Sequence, residues 1–313
     1  MSRAFVFPGQ GSQAVGMGRE LAEAFPAARH VFQEVDDALG QKLSALMFEG
    51  PEDQLTLTEN AQPALMAVSM AVLRVLEGEG KFDLATSATL VAGHSLGEYS
   101  ALAAAGTFSL ADTARLLKIR GQAMQKAVPV GVGAMAALIG ADYEQAKEIA
   151  AAAAQGEVCA AANDNAPGQV VVSGHKAAVE RAIAIAAERG IKRAMLLPVS
   201  APFHCALMQP AADAMAEALA GVTMTAPKVP LVANVTAEKV SDPAAIRELL
   251  VAQVTGTVRW RESTLYMKGQ GIASVVELGA GKVLSGLAKR IDKELVGTSV
   301  GTPADIDAFL KSL

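Results

Sequence analysis

The chain has 313 residues, of which 51% are hydrophobic and 19% charged, so it contains enough apolar surface for a large core and is not disordered. Its formal net charge of −5 disfavours a nucleic-acid-binding surface, which needs clustered and uncompensated Lys and Arg. Gly, Pro or a charge interrupts each apolar run before it reaches the length of a signal peptide or a membrane span, and two cysteines, Cys159 and Cys205, do not indicate a disulfide framework. We therefore expect a cytoplasmic protein whose partners include neither nucleic acid nor a membrane.

The predicted elements alternate between strands and helices along the first part of the chain. Residues 3–7, "RAFVF", form a short strand. A helix follows over 60–78, with Asn60 and Pro63 as its start signals and apolar residues at helical spacing. Residues 88–93, "ATLVAG", are a continuous apolar strand of the kind found in a sheet that is covered on both faces. This alternation indicates a parallel α/β core.

Residues 128–199 follow a second pattern. Their order of elements is βαββαβ, which is that of a ferredoxin-like unit, and Gly and Pro flank the segment on both sides. We predict an inserted subdomain at 128–199 and a core made of 1–127 and 200–313. Within the subdomain the predicted strands are 133–140, 157–163, 168–174 and 192–199, and the predicted helices are 142–156 and 175–190.

The C-terminal part returns to the α/β pattern. Residues 207–221 and 242–254 have helical spacing, and 230–235, "PLVANV", is strand-like. Residues 271–291 predict the last strand, turn and helix of the core.

The sequence "LVAGHSLGEYSALAAAG" contains a serine between two glycines. Gly93, Ser95 and Gly97 fit G-x-S-x-G, in which a nucleophilic serine lies on a tight turn between a strand and a helix. The N-terminus of that helix would direct the Leu96 amide toward an oxyanion that forms on an acyl group. The alternative is an ordinary turn in which Ser95 caps the helix.

A serine nucleophile needs a base, and His204 is the first candidate among four histidines. It lies in an irregular loop after a strand, C-terminal to Ser95, in the order typical of hydrolase-like folds. Two alternatives remain for His204, a loop histidine with no catalytic part or a partner of the neighbouring Cys205. No acidic residue presents itself as a third member. Of the other histidines, we expect His30 and His175 to be solvated. We expect His94, which lies in the turn, to point away from the serine.

Arg120 stands out in the helix predicted from residue 110. When Leu116 is set at zero and each residue advances by about 100°, Arg120 falls at about 40° and lies within the apolar face. A buried arginine is costly unless it is paired. It therefore predicts either an internal ion pair or a bidentate contact with the carboxylate of an acyl substrate. The apolar residues assigned to the same face are Leu117, Ile119, Ala123, Met124 and Ala127.

Taken together, these segments resemble the malonyl-CoA:acyl carrier protein transacylase family of fatty acid synthesis, and the resemblance covers essentially the whole chain. The segments that carry it are "FPGQGSQ" at 7–13, "GHSLGEYSAL" at 93–102, "RG" at 120–121, "FHCALM" at 203–208 and "GAGKVLSGL" at 279–287.

The resemblance implies a fold, an activity and a set of residue roles. The implied fold is a hydrolase-like α/β core with an inserted ferredoxin-like subdomain. The implied activity moves malonyl from malonyl-CoA, a substrate, to the phosphopantetheine thiol of acyl carrier protein through an acyl-serine, with no metal or cofactor. The implied roles are Ser95 as nucleophile, His204 as base, Arg120 as the carboxylate clamp, the Gln10 and Leu96 amides as oxyanion hole, the Gln253 carbonyl as the group that orients the histidine, and Asn163, Asn165 and Gln62 along a coenzyme A or pantetheine channel.

Two positions depart from the family's commonest pattern. Ala280 stands where the family usually has proline, and we expect the turn to tolerate this change. Cys205 stands where the family often has serine. Phe203 leaves little room for a branched acyl group and so favours malonyl.

A serine thioesterase and a non-catalytic carrier-binding module are the competing hypotheses. Because acyl carrier proteins are acidic, we expect docking on a local basic patch formed by Lys282, Lys289, Arg290 and Lys293.

Overall fold

The computed structural model describes residues 2–80, 82–199 and 201–313. Within these ranges the chain forms ten strands in two sheets. The strands are β1 (Arg3–Phe7), β2 (Leu90–Gly93), β3 (Gly133–Ile139), β4 (Cys159–Ala166), β5 (Gln169–His175), β6 (Arg193–Leu196), β7 (Leu231–Val232), β8 (Lys239–Val240), β9 (Ser274–Leu278) and β10 (Val296–Val300).

Fifteen α-helices and a short 3₁₀ turn at Ala206–Met208 complete the described part of the chain. The helices are α1 (Arg19–Ala24), α2 (Pro26–Leu39), α3 (Leu43–Glu49), α4 (Glu52–Thr56), α5 (Thr58–Glu79), α6 (Leu84–Ser87), α7 (Leu96–Ala104), α8 (Leu110–Lys126), α9 (Tyr143–Ala154), α10 (Lys176–Glu188), α11 (Gln209–Ala220), α12 (Pro243–Thr255), α13 (Trp260–Gly269), α14 (Val283–Ile291) and α15 (Pro303–Lys311).

The larger sheet has the strand order β10-β9-β1-β2-β7-β8. Its first five strands are parallel, and β8 pairs antiparallel with β7 at one edge. Helices cover both faces, which explains the continuous apolar strands. In β1, Phe5 and Phe7 belong to the large cluster on one face, whereas Ala4 and Val6 join the cluster around Trp260 on the other.

The smaller sheet is antiparallel, with the strand order β4-β5-β3-β6. Helices α9 and α10 pack on it through an apolar cluster that includes Leu138, Ile149 and Val179. The order of strands and helices is the βαββαβ order that the sequence predicts, and the fold class is therefore confirmed. All of these elements lie within 128–199. Met1 and Ser200, with which the two predicted core ranges begin, lie outside the described residues.

The start of α5 differs from the prediction. The helix begins at Thr58 rather than Asn60, and Pro63 lies inside it. The Asn60 side chain does not cap the helix, because its Oδ1 accepts from Gln41 Nε2 and from Lys118 Nζ, each at 3.0 Å. Pro63 lacks the amide that would bond to the Glu59 carbonyl, so α5 continues through the proline with one backbone bond fewer.

The prediction that 271–291 holds the last strand and helix is wrong, because β10 and α15 follow. Strand β10 forms an edge of the sheet and is mostly exposed, so it lacks the apolar run that marks β1 and β2. Helix α15 has a capping box in which Thr302 and Asp305 satisfy each other's backbone amides. In the described ranges no helix combines the length and the apolar character that crossing a membrane requires.

Gly121 sets how closely α8 approaches the first turn of α5. A Cβ at this position would lie 2.5 Å from Glu59 Cα and 2.6 Å from the Thr58 carbonyl oxygen, and neither backbone atom can yield. We predict that Gly121→Ala lowers the free energy of unfolding by about 1–3 kcal/mol. Urea denaturation measures the change.

The control for this substitution is Gly286→Ala in α14, where an added Cβ meets nothing within 4 Å. There the gain in helix propensity should raise the free energy of unfolding by about 0.5–1 kcal/mol. Equal effects at the two glycines would contradict the close approach of α8 to α5.

Candidate active site

Ser95 occupies a tight turn between β2 and α7. Its backbone has φ 54° and ψ −111°, a conformation that non-glycine residues rarely adopt. The flanking glycines permit the turn because a Cβ on Gly93 would lie 1.9 Å from the Gly97 carbonyl carbon, and one on Gly97 would lie 2.2 Å from the Phe7 oxygen. The motif thus brings the serine backbone close to the end of β1.

His204 lies beside this serine, with its Nε2 2.8 Å from Ser95 Oγ. Its Nδ1 lies 2.8 Å from the Gln253 carbonyl oxygen, which can only accept a hydrogen bond. The network therefore assigns the proton to Nδ1 and leaves Nε2 as the acceptor for the serine hydroxyl. Burial, together with the nearby Arg120 charge, lowers the pKa of His204 to about 3, so the ring is neutral at ordinary pH.

Arg120 projects from α8 into the same site and is almost completely buried, with 1% of its surface exposed. Its Nη1 donates to Gln62 Oε1 at 2.7 Å, and its Nη2 donates to Gln253 Oε1 at 2.7 Å and to Ser95 Oγ at 3.1 Å. The Tyr99 ring lies 5.7 Å from its guanidinium carbon. Within the described residues no carboxylate oxygen comes within 4.0 Å of this guanidinium. The internal ion pair considered for Arg120 is therefore absent from this part of the chain, and the Glu98 carboxylate acts on the guanidinium only at longer range, across the Gln253 amide.

These three side chains line one cavity of about 510 Å³ between the two sheets, a size typical of small-molecule sites. Gln10 and Leu96 also line it. Leu96 is the first residue of α7, so its N–H has no partner within the helix. The apolar part of the wall includes Met124, Met135, Leu197 and Phe203.

The residues expected along a channel divide into two groups. Gln62 and Asn163 line the cavity, and Gln62 also holds Arg120. Asn165 is not among the lining residues, but its Oδ1 lies 2.8 Å from Nε2 of His94, which does line the cavity. This bond ties His94 to the smaller sheet.

Two further side-chain predictions need correction. Ile119 was assigned to the apolar face of α8 but is 39% exposed, because the buried face is centred nearer Leu117 and Met124. His175 precedes α10 as predicted but is partly buried rather than solvated. Its Nδ1 accepts the Val158 amide at 2.9 Å.

Sequence reasoning missed two residues that hold the serine turn. Asn234 Oδ1 accepts the Ser95 amide at 2.8 Å, and Glu98 accepts a hydrogen bond from Gln253 Nε2 at 2.8 Å. A signal for Glu98 was available, because it is a charged residue in a segment that otherwise reads as buried. Asn234 lies near the end of the short strand predicted over 230–235, and nothing in its sequence surroundings marked it as a functional residue.

The described part of the chain has no group of three or more His, Cys, Asp or Glu side chains that could hold a metal ion. The side chains at the site have the following chemical capabilities. His204 can take a proton from Ser95, Ser95 can attack an acyl carbon, and Arg120 can bind a carboxylate on the acyl group.

Comparison with known proteins agrees with this geometry. Residues 4–296 match the acyl transferase domain family. The malonyl CoA-acyl carrier protein transacylase of Salmonella typhimurium is 48% identical over 307 residues, which cover 98% of each chain. The chain belongs to the malonyl-CoA:acyl carrier protein transacylase family. The family resemblance read from the motifs is confirmed.

Solved structures of similar chains extend this result to the fold. The acyl-carrier-protein-S-malonyltransferase from Bartonella henselae is 60% identical and superimposes with a TM-score of 0.97, covering 100% of this chain and 99% of that one. A second similar structure is that of a malonyl-transacylase in complex with its type II PKS acyl-carrier protein. It is 44% identical, with a TM-score of 0.96 and full coverage of both chains.

The neutral state of His204 in this transacylase fold has a consequence for stability. Below pH 6.5 the unfolded chain binds a proton at this residue, whereas the folded chain does not until about pH 3. The stability of the folded state therefore falls as the pH falls between these values, by about 1.4 kcal/mol per unit once the pH is well below 6.5. We predict that the wild-type protein loses about 2 kcal/mol relative to His204→Gln between pH 7 and pH 5. Urea unfolding at both pH values measures this difference, and equal losses would mean that the folded protein protonates His204 normally.

Proposed function

We propose that this chain transfers the malonyl group from malonyl-CoA to the phosphopantetheine thiol of acyl carrier protein, and so supplies chain-extension units for fatty acid synthesis. The observation that carries the proposal is the buried Arg120 guanidinium, which lies 3.1 Å from Ser95 Oγ without a carboxylate partner among the described residues. A malonyl group bound as a serine ester carries its free carboxylate one methylene beyond the carbonyl carbon. It can therefore supply the carboxylate contact that Arg120 lacks among the described residues.

In the first half-reaction, Ser95 Oγ attacks the thioester carbonyl carbon of malonyl-CoA while His204 Nε2 takes the hydroxyl proton. The carbon–sulfur bond then breaks, and the leaving thiolate receives that proton from His204. The amides of Gln10 and Leu96 stabilise the negative charge that develops on the carbonyl oxygen. The product is malonyl-Ser95 and free coenzyme A.

The second half-reaction runs through the same groups. The phosphopantetheine thiol gives its proton to His204 and attacks the carbonyl carbon of malonyl-Ser95. The bond between that carbon and Ser95 Oγ breaks, and the serine oxygen recovers the proton. The Gln253 carbonyl keeps the imidazole in the required tautomer by accepting from Nδ1 at 2.8 Å, so no acidic third member is needed.

The same geometry argues against the two competing hypotheses. A thioesterase for ordinary fatty acyl groups would have to place an apolar chain against a buried guanidinium, which is costly. A non-catalytic module would not need a neutral imidazole and an arginine that both lie within hydrogen-bonding distance of one serine hydroxyl. Acyl transfer uses all three groups.

The wall of the cavity supports a role for the smaller sheet in binding the coenzyme. We propose that 128–199 form one subdomain, with the pantetheine arm lying between it and the core along Asn163 and Gln62. Phe203, which is buried in the wall, limits branched acyl groups. We place the reaction in the cytoplasm, where the free thiols of Cys159 and Cys205 are compatible with a reducing environment.

The proposed clamp is tested by Arg120→Ala assayed with two donors. Malonyl transfer should fall by at least 100-fold, because a charge-assisted bidentate contact is lost, whereas acetyl transfer should fall much less. Transfer rates with malonyl-CoA and acetyl-CoA measure the selectivity. Equal losses with both donors would assign Arg120 to the scaffold.

Ser95→Ala is the control for the nucleophile in the same experiment. After mixing with malonyl-CoA, intact-mass measurement should show a malonyl adduct on the wild-type protein and none on this variant. An adduct that persists would place the nucleophile elsewhere.

We propose that acyl carrier protein docks on α14, whose basic side chains are exposed. These are Lys282, Lys289, Arg290 and Lys293. The start of α14 adjoins the cavity, because a Cβ on Gly281 would lie 3.2 Å from Ser12, next to lining residues Gly11 and Gln13. A basic helix that leads to the cavity suits an acidic partner that must insert its thiol.

Charge reversal at Lys289 and Arg290 should lower kcat/KM for acyl carrier protein by tenfold or more at low salt, while acylation by malonyl-CoA stays unchanged. Lys311→Glu in α15 is the control for a general effect of negative charge. Unchanged carrier-protein kinetics in the double variant would remove α14 as the docking surface.

A further inference from the structure

The strained backbone of Ser95 is held from both sides by side chains of other elements. Its N–H donates to Asn234 Oδ1 at 2.8 Å, and its carbonyl oxygen accepts from Gln253 Nε2 at 2.9 Å. A non-glycine residue in so rare a conformation costs about 1–3 kcal/mol and persists only where its surroundings hold it there. Asn234 and Gln253 are therefore part of what keeps the serine in its reactive position.

Both of these residues in turn donate to one oxygen of Glu98. Glu98 Oε2 accepts from Gln253 Nε2 at 2.8 Å and from the Asn234 backbone N–H at 3.2 Å. Glu98 also donates its own backbone N–H to the Ser95 carbonyl at 3.0 Å. One buried carboxyl group thus accepts from the Gln253 side chain and from the Asn234 backbone, and these are the two residues that hold the backbone polar groups of Ser95.

Glu98 has no compensating ion pair that would explain its burial in another way. It is 1% exposed, and no Lys, Arg or His nitrogen of the described residues lies within 4.0 Å of its carboxylate. A buried carboxyl group is costly, and this cost is offset by the hydrogen bonds that Glu98 accepts and, at longer range, by the charge of Arg120.

We infer that Glu98 is a positioning residue for the nucleophile, which acts by accepting hydrogen bonds from Gln253 and Asn234 and so fixes the backbone of Ser95 and the direction of the Gln253 amide. The inference rests on the proposed function, because it assigns a part in the acylation of Ser95. The Gln253 amide directs its nitrogen to Glu98 and Ser95 and its oxygen to Arg120. Glu98 therefore connects the serine to the carboxylate clamp.

This role requires an acceptor oxygen and does not require a negative charge. Burial raises the pKa of Glu98 to about 7, opposed by the bonds from Gln253 and Asn234. Because both bonds end on Oε2, a proton on Oε1 leaves them in place. Glutamine, whose amide oxygen can accept both bonds, should therefore replace Glu98 well.

The test compares Glu98→Gln, Glu98→Asp and Glu98→Met at a temperature where each is folded. The first keeps the acceptor, the second withdraws it by one methylene, and the third removes it at similar volume. The readouts are the single-turnover rate of malonyl-Ser95 formation and the rate at which a fluorophosphonate probe labels Ser95. The probe reports serine reactivity without any need for malonyl recognition.

Glu277 offers a matched control, because it is a second fully buried carboxylate and its hydrogen bonds come from the amides of Leu284 and Ser285 rather than from Gln253 or Asn234. Glu277→Met should lower the melting temperature yet acylate at the wild-type rate when folded. Glu98→Met should acylate about 100-fold more slowly than wild type and Glu98→Asp roughly tenfold more slowly, whereas Glu98→Gln stays within about threefold. Slower probe labelling should accompany each slower acylation.

Wild-type acylation rates in folded Glu98→Met or Glu98→Asp would overturn the inference, and so would a Gln variant as slow as the Met variant. If Glu98→Met does not fold, the Asp and Gln variants decide the question. Failure of the proposed function would give a different result. The wild-type protein would then form no malonyl adduct on Ser95, whereas the fluorophosphonate probe would still label Ser95 and its labelling rates would still rank the Glu98 variants.

Discussion

The site depends on a buried positive charge that no carboxylate of the described residues contacts directly. Arg120 is held by the amide oxygens of Gln62 and Gln253 rather than by carboxylates. Neutral amides accept hydrogen bonds from Nη1 and Nη2 and fix their direction, but they carry no charge to oppose that of the guanidinium. The cost of burying that charge is met by the packing of α8 on α5, where Gly121 lets the helices meet. Stability and selectivity for a carboxylate are therefore linked through one side chain.

The fold could be predicted from the sequence wherever burial gave the apolar residues a clear helical or strand-like spacing. The βαββαβ order at 128–199 could be predicted because β3 and β5 are largely apolar and each helix has one apolar face. Prediction failed at the exposed edge of the larger sheet, where β10 offers little apolar signal. It also failed at α5, because Pro63 was interpreted as a start signal although packing carries the helix through it. Tertiary contacts overrode local propensity in that case.

The site was predictable to the extent that a residue contradicted its surroundings. Arg120 could be identified because α8 has a polar face from which it is absent. Glu98 is likewise a charged residue among buried ones, but every side of α7 is buried. The helix therefore has no polar face from which the absence of Glu98 could be noticed. Gln253 could not be found from its own helix, because its part depends on how α12 approaches the serine turn. Its assignment came from family resemblance, and the contact with His204 Nδ1 agrees with it without testing the role.

The same charge also acts on the base. The pKa of His204 is lowered first by burial and then by Arg120, so in the free protein the imidazole is a weak proton acceptor. In the proposed reaction, a substrate carboxylate against Arg120 offsets the second of these effects and raises the basicity of His204. An acyl group without a carboxylate leaves the guanidinium without this contact and the imidazole weak. The clamp therefore favours malonyl twice, once by binding it and once by making the base beside Ser95 more effective when malonyl is bound.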